Sequence, residues 1–163
     1  EKISFIQNAV GAVPSPFDCY LLTRSIKTLS VRMKQHNENA IAVSNYLSNH
    51  PKIEKVFFPG TDKRHKEIAE KQMDGFGGMM SFVIDSDING VKTFLKNLNL
   101  FTLAESLGGV ESLIEHPAIM THASIDPSIR EKLGISETLL RISVGIEDVD
   151  DLISDLDQAL SKI

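Results

Sequence analysis

The sequence is short of the features that mark secreted, membrane-spanning or nucleic-acid-binding proteins. Cysteine occurs once in 163 residues, as Cys19, so an internal disulfide is excluded and a reducing compartment fits. Cys19 sits among apolar residues of a predicted helix, "PSPFDCYLLTR", and reads as a packed thiol. No apolar run approaches the roughly 20 residues needed to span a bilayer, and no basic-then-apolar leader opens the chain. The expectation is a soluble, cytoplasmic protein with no membrane partner. The formal net charge is −5 and the lysines and arginines form no cluster. Sequence-independent binding of a phosphate backbone depends on concentrated positive charge, so no nucleic acid partner is expected. His36, His50, His65, His116 and His122 show no metal-ligand spacing; "HPAIMTH" sets two of them six apart without a nearby cysteine, and no metal site is expected.

What is present is an ordinary globular composition, 42% hydrophobic and 24% charged, in a chain long enough to bury a core without a disulfide or metal. It opens without methionine at "EKISFIQNAVGAVP", where Ile3, Ile6 and Val10 share one side of a helix already under way; a piece of something longer is the expectation. A short helix follows Pro14 and Pro16. From Leu29 the spacing of Met33, Ala40, Val43 and Leu47 predicts a long amphipathic helix ended by "NHP". "IEKVFFPG" predicts a strand and "HKEIAEKQM" a short helix. "FGGMMSFVID" predicts an interior strand with Met80, Phe82 and Ile84 on one face, Met79 and Met80 filling core.

"INGVKTFLKNL" predicts a helix with Val91, Phe94, Leu95 and Leu98 inward. "LFTLAES" and "GVESLIEH" predict strands forming a hairpin around Gly108 and Gly109. "DPSIREKLG" is a small helix begun by an aspartate cap with proline behind it. After the strand "TLLRISVGIE" comes a final helix, "DVDDLISDLDQALSKI", whose carboxylates suit the positive end of its dipole better than a calcium loop. Helices and strands in this uneven order predict an α+β domain with a mixed or largely antiparallel sheet and helices on one side.

One residue in the last strand breaks the pattern. Alternation puts Leu140, Ile142, Val144 and Ile146 on a continuous apolar face, and Leu139, Arg141, Ser143 and Gly145 on the other. The second face leaves room beside a long cation. A partly buried guanidinium needs an anion, and its planar fork suits a carboxylate held by two parallel hydrogen bonds. Periodicity leaves three readings open: a structural salt bridge, a solvent-facing arginine, or a ligand-carboxylate site. The "SLGG" of residues 106–109 is by itself compatible with a tight turn or with a ligand approaching main-chain amides.

Three long strings occur in collinear order: "QNAVGAVPSPFDCYLLTRSIKTLSVRM", "LAESLGGVESLIEHPAIMTHASI" and "LLRISVGIEDVDDLISDLDQAL". Together they resemble the C-terminal portion of the Cys/Met-metabolism family of pyridoxal-phosphate enzymes, the transsulfuration enzymes, over essentially the whole chain. The resemblance implies a fold-type-I enzyme, with residues 1–12 ending the cofactor domain and residues 13–163 forming the smaller C-terminal domain that closes the site. It implies that Arg141 binds the substrate α-carboxylate. Ser106 is implied to lie beside that carboxylate and near the lysine that holds the cofactor, and Thr121 near the substrate. Glu105 is implied to go with enzymes acting on cystathionine at its γ-carbon, where a carboxylate can meet the distal ammonium of a long diamino acid.

The cofactor implied is pyridoxal 5'-phosphate, bound mainly outside this segment. None of the twelve lysines follows a family-like serine-threonine-lysine motif, and there is no glycine-rich phosphate cradle. The expected activity is γ-lyase cleavage of cystathionine to cysteine, 2-oxobutanoate and ammonia, by a homo-oligomer, a tetramer in this family. The segment alone is expected to be inactive. γ-Synthase and methionine γ-lyase chemistry are the alternatives within the family. Outside it, the alternative is a non-catalytic domain that binds a carboxylate or a partner.

Overall fold

The computed structural model describes residues 1–61 and 66–163. The chain divides into two compact units, Glu1–Arg32 and Met33–Ile163. In the first, α1 (Lys2–Val10) is closed by Gly11 in the left-handed region at φ 67°, and α2 (Pro16–Ile26) begins at Ser15, whose side chain accepts from the Asp18 amide. Pro16 follows the cap, where its missing N–H costs nothing. No residue of α1 or α2 is buried. Cys19 is accordingly exposed and not the packed thiol expected from its neighbours. The apolar residues around it, Phe17, Tyr20 and Leu22, are themselves exposed, so there is no interior for the thiol to enter.

The second unit holds the core. Helix α3 (Leu29–Asn49) runs into it and buries Ala40, Val43 and Leu47. Then come β1 (Ile53–Phe57), α4 (Lys66–Gln72), β2 (Met79–Ile84), α5 (Ile88–Lys96), β3 (Thr102–Leu103), β4 (Leu113–Glu115), α6 (Pro127–Lys132), β5 (Leu139–Ser143) and α7 (Val149–Leu160). His65, where the sequence starts the fourth helix, lies outside the described residues. Aspartates cap three of the helices: Asp126, the cap the sequence indicates, accepts from the amide of Ser128, and Asp87 and Asp148 do the same from the amides of Asn89 and Gly90 and of Asp150.

The strands form one mixed sheet in the order β1-β2-β5-β4-β3. β1, β2, β5 and β4 pair antiparallel, whereas β3 and β4 pair parallel, Thr102 opposite Leu113 and Leu103 opposite Ile114. The hairpin expected around Gly108 and Gly109 is therefore not formed. The intervening residues 104–112 make a loop that returns the chain to the same end of the sheet. Its course is set by β5 and the residues that follow it: the amide of Ile146 donates to the Val110 carbonyl, and the amide of Gly108 to the Ser143 hydroxyl.

One sheet face packs against α3, α5 and α7. Met80, Phe82, Ile84, Ile114, Leu140, Ile142 and Val144 meet Val91 and Phe94 of α5 and Leu152, Leu156 and Leu160 of α7 in a single cluster. Met80 is core as expected; Met79 is half-buried on the other face. The carboxylate of Asp155 on α7 is buried and accepts from the amides of Asn99, Leu100 and Phe101 at 2.8, 2.8 and 3.1 Å. Those three donors lead into β3, so this bond set fixes where the loop 104–112 departs.

Candidate functional site

The second face of β5 is where polar groups collect. Leu140, Ile142 and Val144 turn into the core, so alternation turns Leu139, Arg141 and Ser143 the other way. Register places Arg141 between Ser81 of β2 and Glu115 of β4. The Arg141 guanidinium pairs through Nη2 with Oε2 of Glu115. The two partners are unequally exposed: Glu115 is 1% exposed, whereas the Arg141 side chain is 30% exposed. One nitrogen of the fork is held from the buried side, on a side chain that stays partly exposed.

The other carboxylate oxygen of Glu115 accepts from the Thr121 hydroxyl, which also contacts Nδ1 of His122 at 2.8 Å. Because the Thr121 proton goes to the carboxylate, the His122 ring donates to Thr121 Oγ1. The result is a chain from His122 through Thr121 and Glu115 to Arg141. Its central member, Glu115, is the residue that sequence reading missed. A lone carboxylate in the apolar stretch "SLIEHP" mirrors the lone arginine of "LLRIS", but only the register shows that they are opposite one another.

Beyond Arg141 the face is filled, contrary to the room expected there. The Ser143 hydroxyl accepts from the Gly108 amide at 2.9 Å. At Gly145 a side-chain carbon would collide with the Val110 carbonyl and the Glu147 carboxylate, so the missing side chain admits the loop backbone. Glu147 in turn takes the amide and hydroxyl of Ser112, and Asn39 donates to the carbonyls of Gly145 and Glu147. Gly108 itself has φ 79°, a left-handed conformation that suits glycine. The loop is thus pinned at 108, 110 and 112.

Of the four residues marked by resemblance, the structure brings Arg141 and Thr121 together through Glu115. Glu105 and Ser106 are exposed on the pinned loop, with no side-chain hydrogen bond or ion pair among the described residues. Beside the loop a cavity of about 350 Å³ is lined by Met33, Phe76, Met79, Leu107, Gly108 and Ser143, among others. The buried His36 also borders it, its Nδ1 donating to the Val144 carbonyl at 2.7 Å.

The donor set at Arg141 suits a small carboxylate. It does not make a pyridoxal-phosphate pocket. Among the described residues every lysine is exposed except the half-buried Lys52, and its Nζ donates to the carbonyls of Leu160 and Ile163, away from Arg141. The Gly108 amide is not free to meet an anion, being already bonded to Ser143. Among the described residues no three His, Cys, Asp or Glu gather as metal ligands, and no helix is long and apolar enough to cross a membrane.

Comparison with known proteins gives this arrangement its context. The chain is 56% identical over 162 residues to a cystathionine gamma-lyase of Dictyostelium discoideum, covering 99% of this chain and 42% of that protein. A solved cystathionine gamma-lyase of Lactobacillus plantarum, complexed with L-serine, superposes with a TM-score of 0.90 at 45% identity, over 99% of this chain and 42% of the other. A solved cystathionine gamma synthase of Xanthomonas oryzae pv. oryzae, in complex with aminoacrylate and cysteine, does so with 0.88 at 47% identity, over 95% and 40%. The chain thus spans about two fifths of the length of the relatives it matches. Its fold is the α+β domain of a fold-type-I pyridoxal-phosphate enzyme, as the sequence strings implied. The model of the Cys/Met metabolism PLP-dependent enzymes matches residues 1–161, and the chain belongs to that family.

Proposed function

We propose that this chain supplies the substrate-carboxylate half of the active site of a carbon-sulfur lyase, and that the complete protein cleaves cystathionine to cysteine, 2-oxobutanoate and ammonia. The observation that carries the proposal is the partly exposed Arg141 fork, held at one nitrogen by buried Glu115. An incoming α-carboxylate meets a cation already desolvated on one side, where charge-assisted bonds are strong. Ser106 and Thr121 flank the carboxylate in this reading, and Glu105, exposed on the loop, meets the distal ammonium of a diamino-acid substrate. The similarity to proteins named cystathionine gamma-lyase supports the choice of substrate.

Pyridoxal phosphate, when bound, supplies the electron sink that such chemistry needs. We assign its lysine and phosphate cradle to residues outside this segment, and residues 1–12 to the end of the cofactor-binding domain. The segment alone is then catalytically inert. The complete protein is a cytoplasmic homo-oligomer, a tetramer. A second reading, γ-synthase, is favoured by the 47% identity to the Xanthomonas enzyme; Glu105 is compatible with both and disfavours methionine γ-lyase.

Product analysis on the complete, cofactor-loaded protein separates these readings. Release of 2-oxobutanoate and cysteine from cystathionine is the expected result. Cystathionine formed from cysteine and an activated homoserine, with negligible cleavage, would establish the synthase instead. No turnover with either would leave the non-catalytic carboxylate-binding domain.

A further inference from the structure

The carboxylate site rests on a group that its ligand does not need to touch. Arginine has a long side chain with many rotamers, and fixing it for a ligand costs entropy at the moment of binding unless something fixes it beforehand. In β5 the backbone fixes only the Cα–Cβ direction of Arg141. The far end is fixed by Glu115, which stands opposite it on β4 and pairs with Nη2.

Glu115 could not do this if it were itself free to move. Its position is determined three ways: by the ladder pairing of β4 with β5, by its near-complete burial, and by the Thr121 hydroxyl on its second oxygen. Thr121 is in turn held by Nδ1 of the neighbouring His122 ring. A buried carboxylate with one oxygen on a hydroxyl and the other on a guanidinium has no free direction in which to turn. Its charge makes loss of the arginine costly, so the pair persists when the outer edge is empty.

We propose that Glu115 is a positioning residue: by holding one edge of the Arg141 guanidinium from the buried side, it aims the remaining N–H groups of the fork at the α-carboxylate of an amino-acid substrate. This rests on the reading of Arg141 as the carboxylate-binding residue. Two carboxylates then share one guanidinium, the protein's at the inner edge and the ligand's at the outer. Geometry matters here beyond charge. Glu115→Asp keeps the charge but withdraws the oxygens by one methylene, and Glu115→Gln keeps the shape without the charge; both release the fork.

The test measures calorimetric binding of L-serine and of ethanolamine, which lacks only the carboxylate, to the complete, cofactor-loaded protein. The ratio of the two affinities reports the carboxylate contact, and a general loosening of the fold would weaken both ligands together. In Glu115→Gln and Glu115→Asp the ratio is expected to fall about tenfold, the scale of one charge-assisted hydrogen bond, with ethanolamine affinity unchanged. The two variants are read independently, so either serves if the other fails to fold.

A ratio unchanged within about twofold in these variants would overturn the positioning role. So would a higher ratio in Glu115→Gln, which would make Glu115 a competitor for the guanidinium. Arg141→Lys separates the two levels of the argument. If it leaves the ratio intact, the carboxylate site itself is wrong; if it collapses the ratio while the Glu115 variants do not, only the positioning role fails.

Discussion

The two faces of β5 are built on different principles. Leu140, Ile142 and Val144 are fully buried against α3, α5 and α7, where what counts is volume and apolar contact. On the other face Arg141 and Ser143 each have one designated partner, Glu115 and the Gly108 amide, and what counts is direction. The two buried carboxylates show the same division. Asp155, on the helical side, is satisfied chiefly by three backbone amides, joined by the side-chain amides of Asn99 and Gln158, and contributes structure alone. Glu115, on the site side, is met by side chains: one oxygen accepts from the Thr121 hydroxyl, and the other, without a hydrogen bond, is ion-paired with the partly exposed Arg141. A buried charge met by backbone is spent on the fold, whereas one met by a half-exposed cation can orient that cation toward a ligand.

Substitutions that separate the faces sharpen this contrast. The largest effect is expected on the core face: Leu140→Ala should lower stability by about 2–5 kcal/mol, through lost transfer energy and the cavity left behind. Chemical denaturation of the complete protein would measure it, and turnover per folded molecule should change little. Arg141→Lys should do the reverse. It keeps a cation beside Glu115 but loses the planar fork, so kcat/KM for cystathionine should drop about a hundredfold, or about 2.7 kcal/mol, with the denaturation midpoint nearly unmoved.

The smallest effect concerns His116, which immediately follows Glu115. Its Nε2 donates to the Glu137 carbonyl at 2.8 Å, which leaves Nδ1 buried without a partner. Burial holds its pKa below the ordinary 6.5, aided by Lys92 and Arg130 and opposed by Glu137. The unfolded chain therefore takes up this proton more readily than the folded one. Above pH 6.5 the ring is neutral in both states and contributes no slope; as pH falls below 6.5, stability is lost until the folded-state pKa is passed. His116→Gln keeps a donor for Glu137 and should flatten that acid-side slope in melting curves recorded between about pH 7.5 and 5.

Much of this contrast was legible in the sequence. Alternation along "LLRISV" separated the apolar face from the arginine face, and the aspartate and proline of "DPSIREKLG" marked the start of α6. The partner of Arg141 was not legible, because cross-strand pairing depends on register and Glu115 lies 26 positions upstream in another strand. The parallel pairing of β3 and β4 was missed for a related reason. Two glycines between short apolar runs read as a hairpin, while the actual path is set by bonds to Ser143 and Ile146 that local sequence does not contain. Cys19 reads as buried from its neighbours, but burial depends on what covers a helix. The roles of Arg141, Ser106, Glu105 and Thr121 came from resemblance; periodicity alone left the arginine between salt bridge and ligand site. The structure shows the salt bridge at one nitrogen of the fork and leaves the side chain partly exposed.

The most direct test is a crystal structure of the complete, cofactor-loaded protein with a bound amino acid. The expected result is the α-carboxylate in two parallel hydrogen bonds to the outer edge of Arg141, with Glu115 still on the inner edge. A carboxylate bound elsewhere, with Arg141 engaged by Glu115 alone, would contradict it.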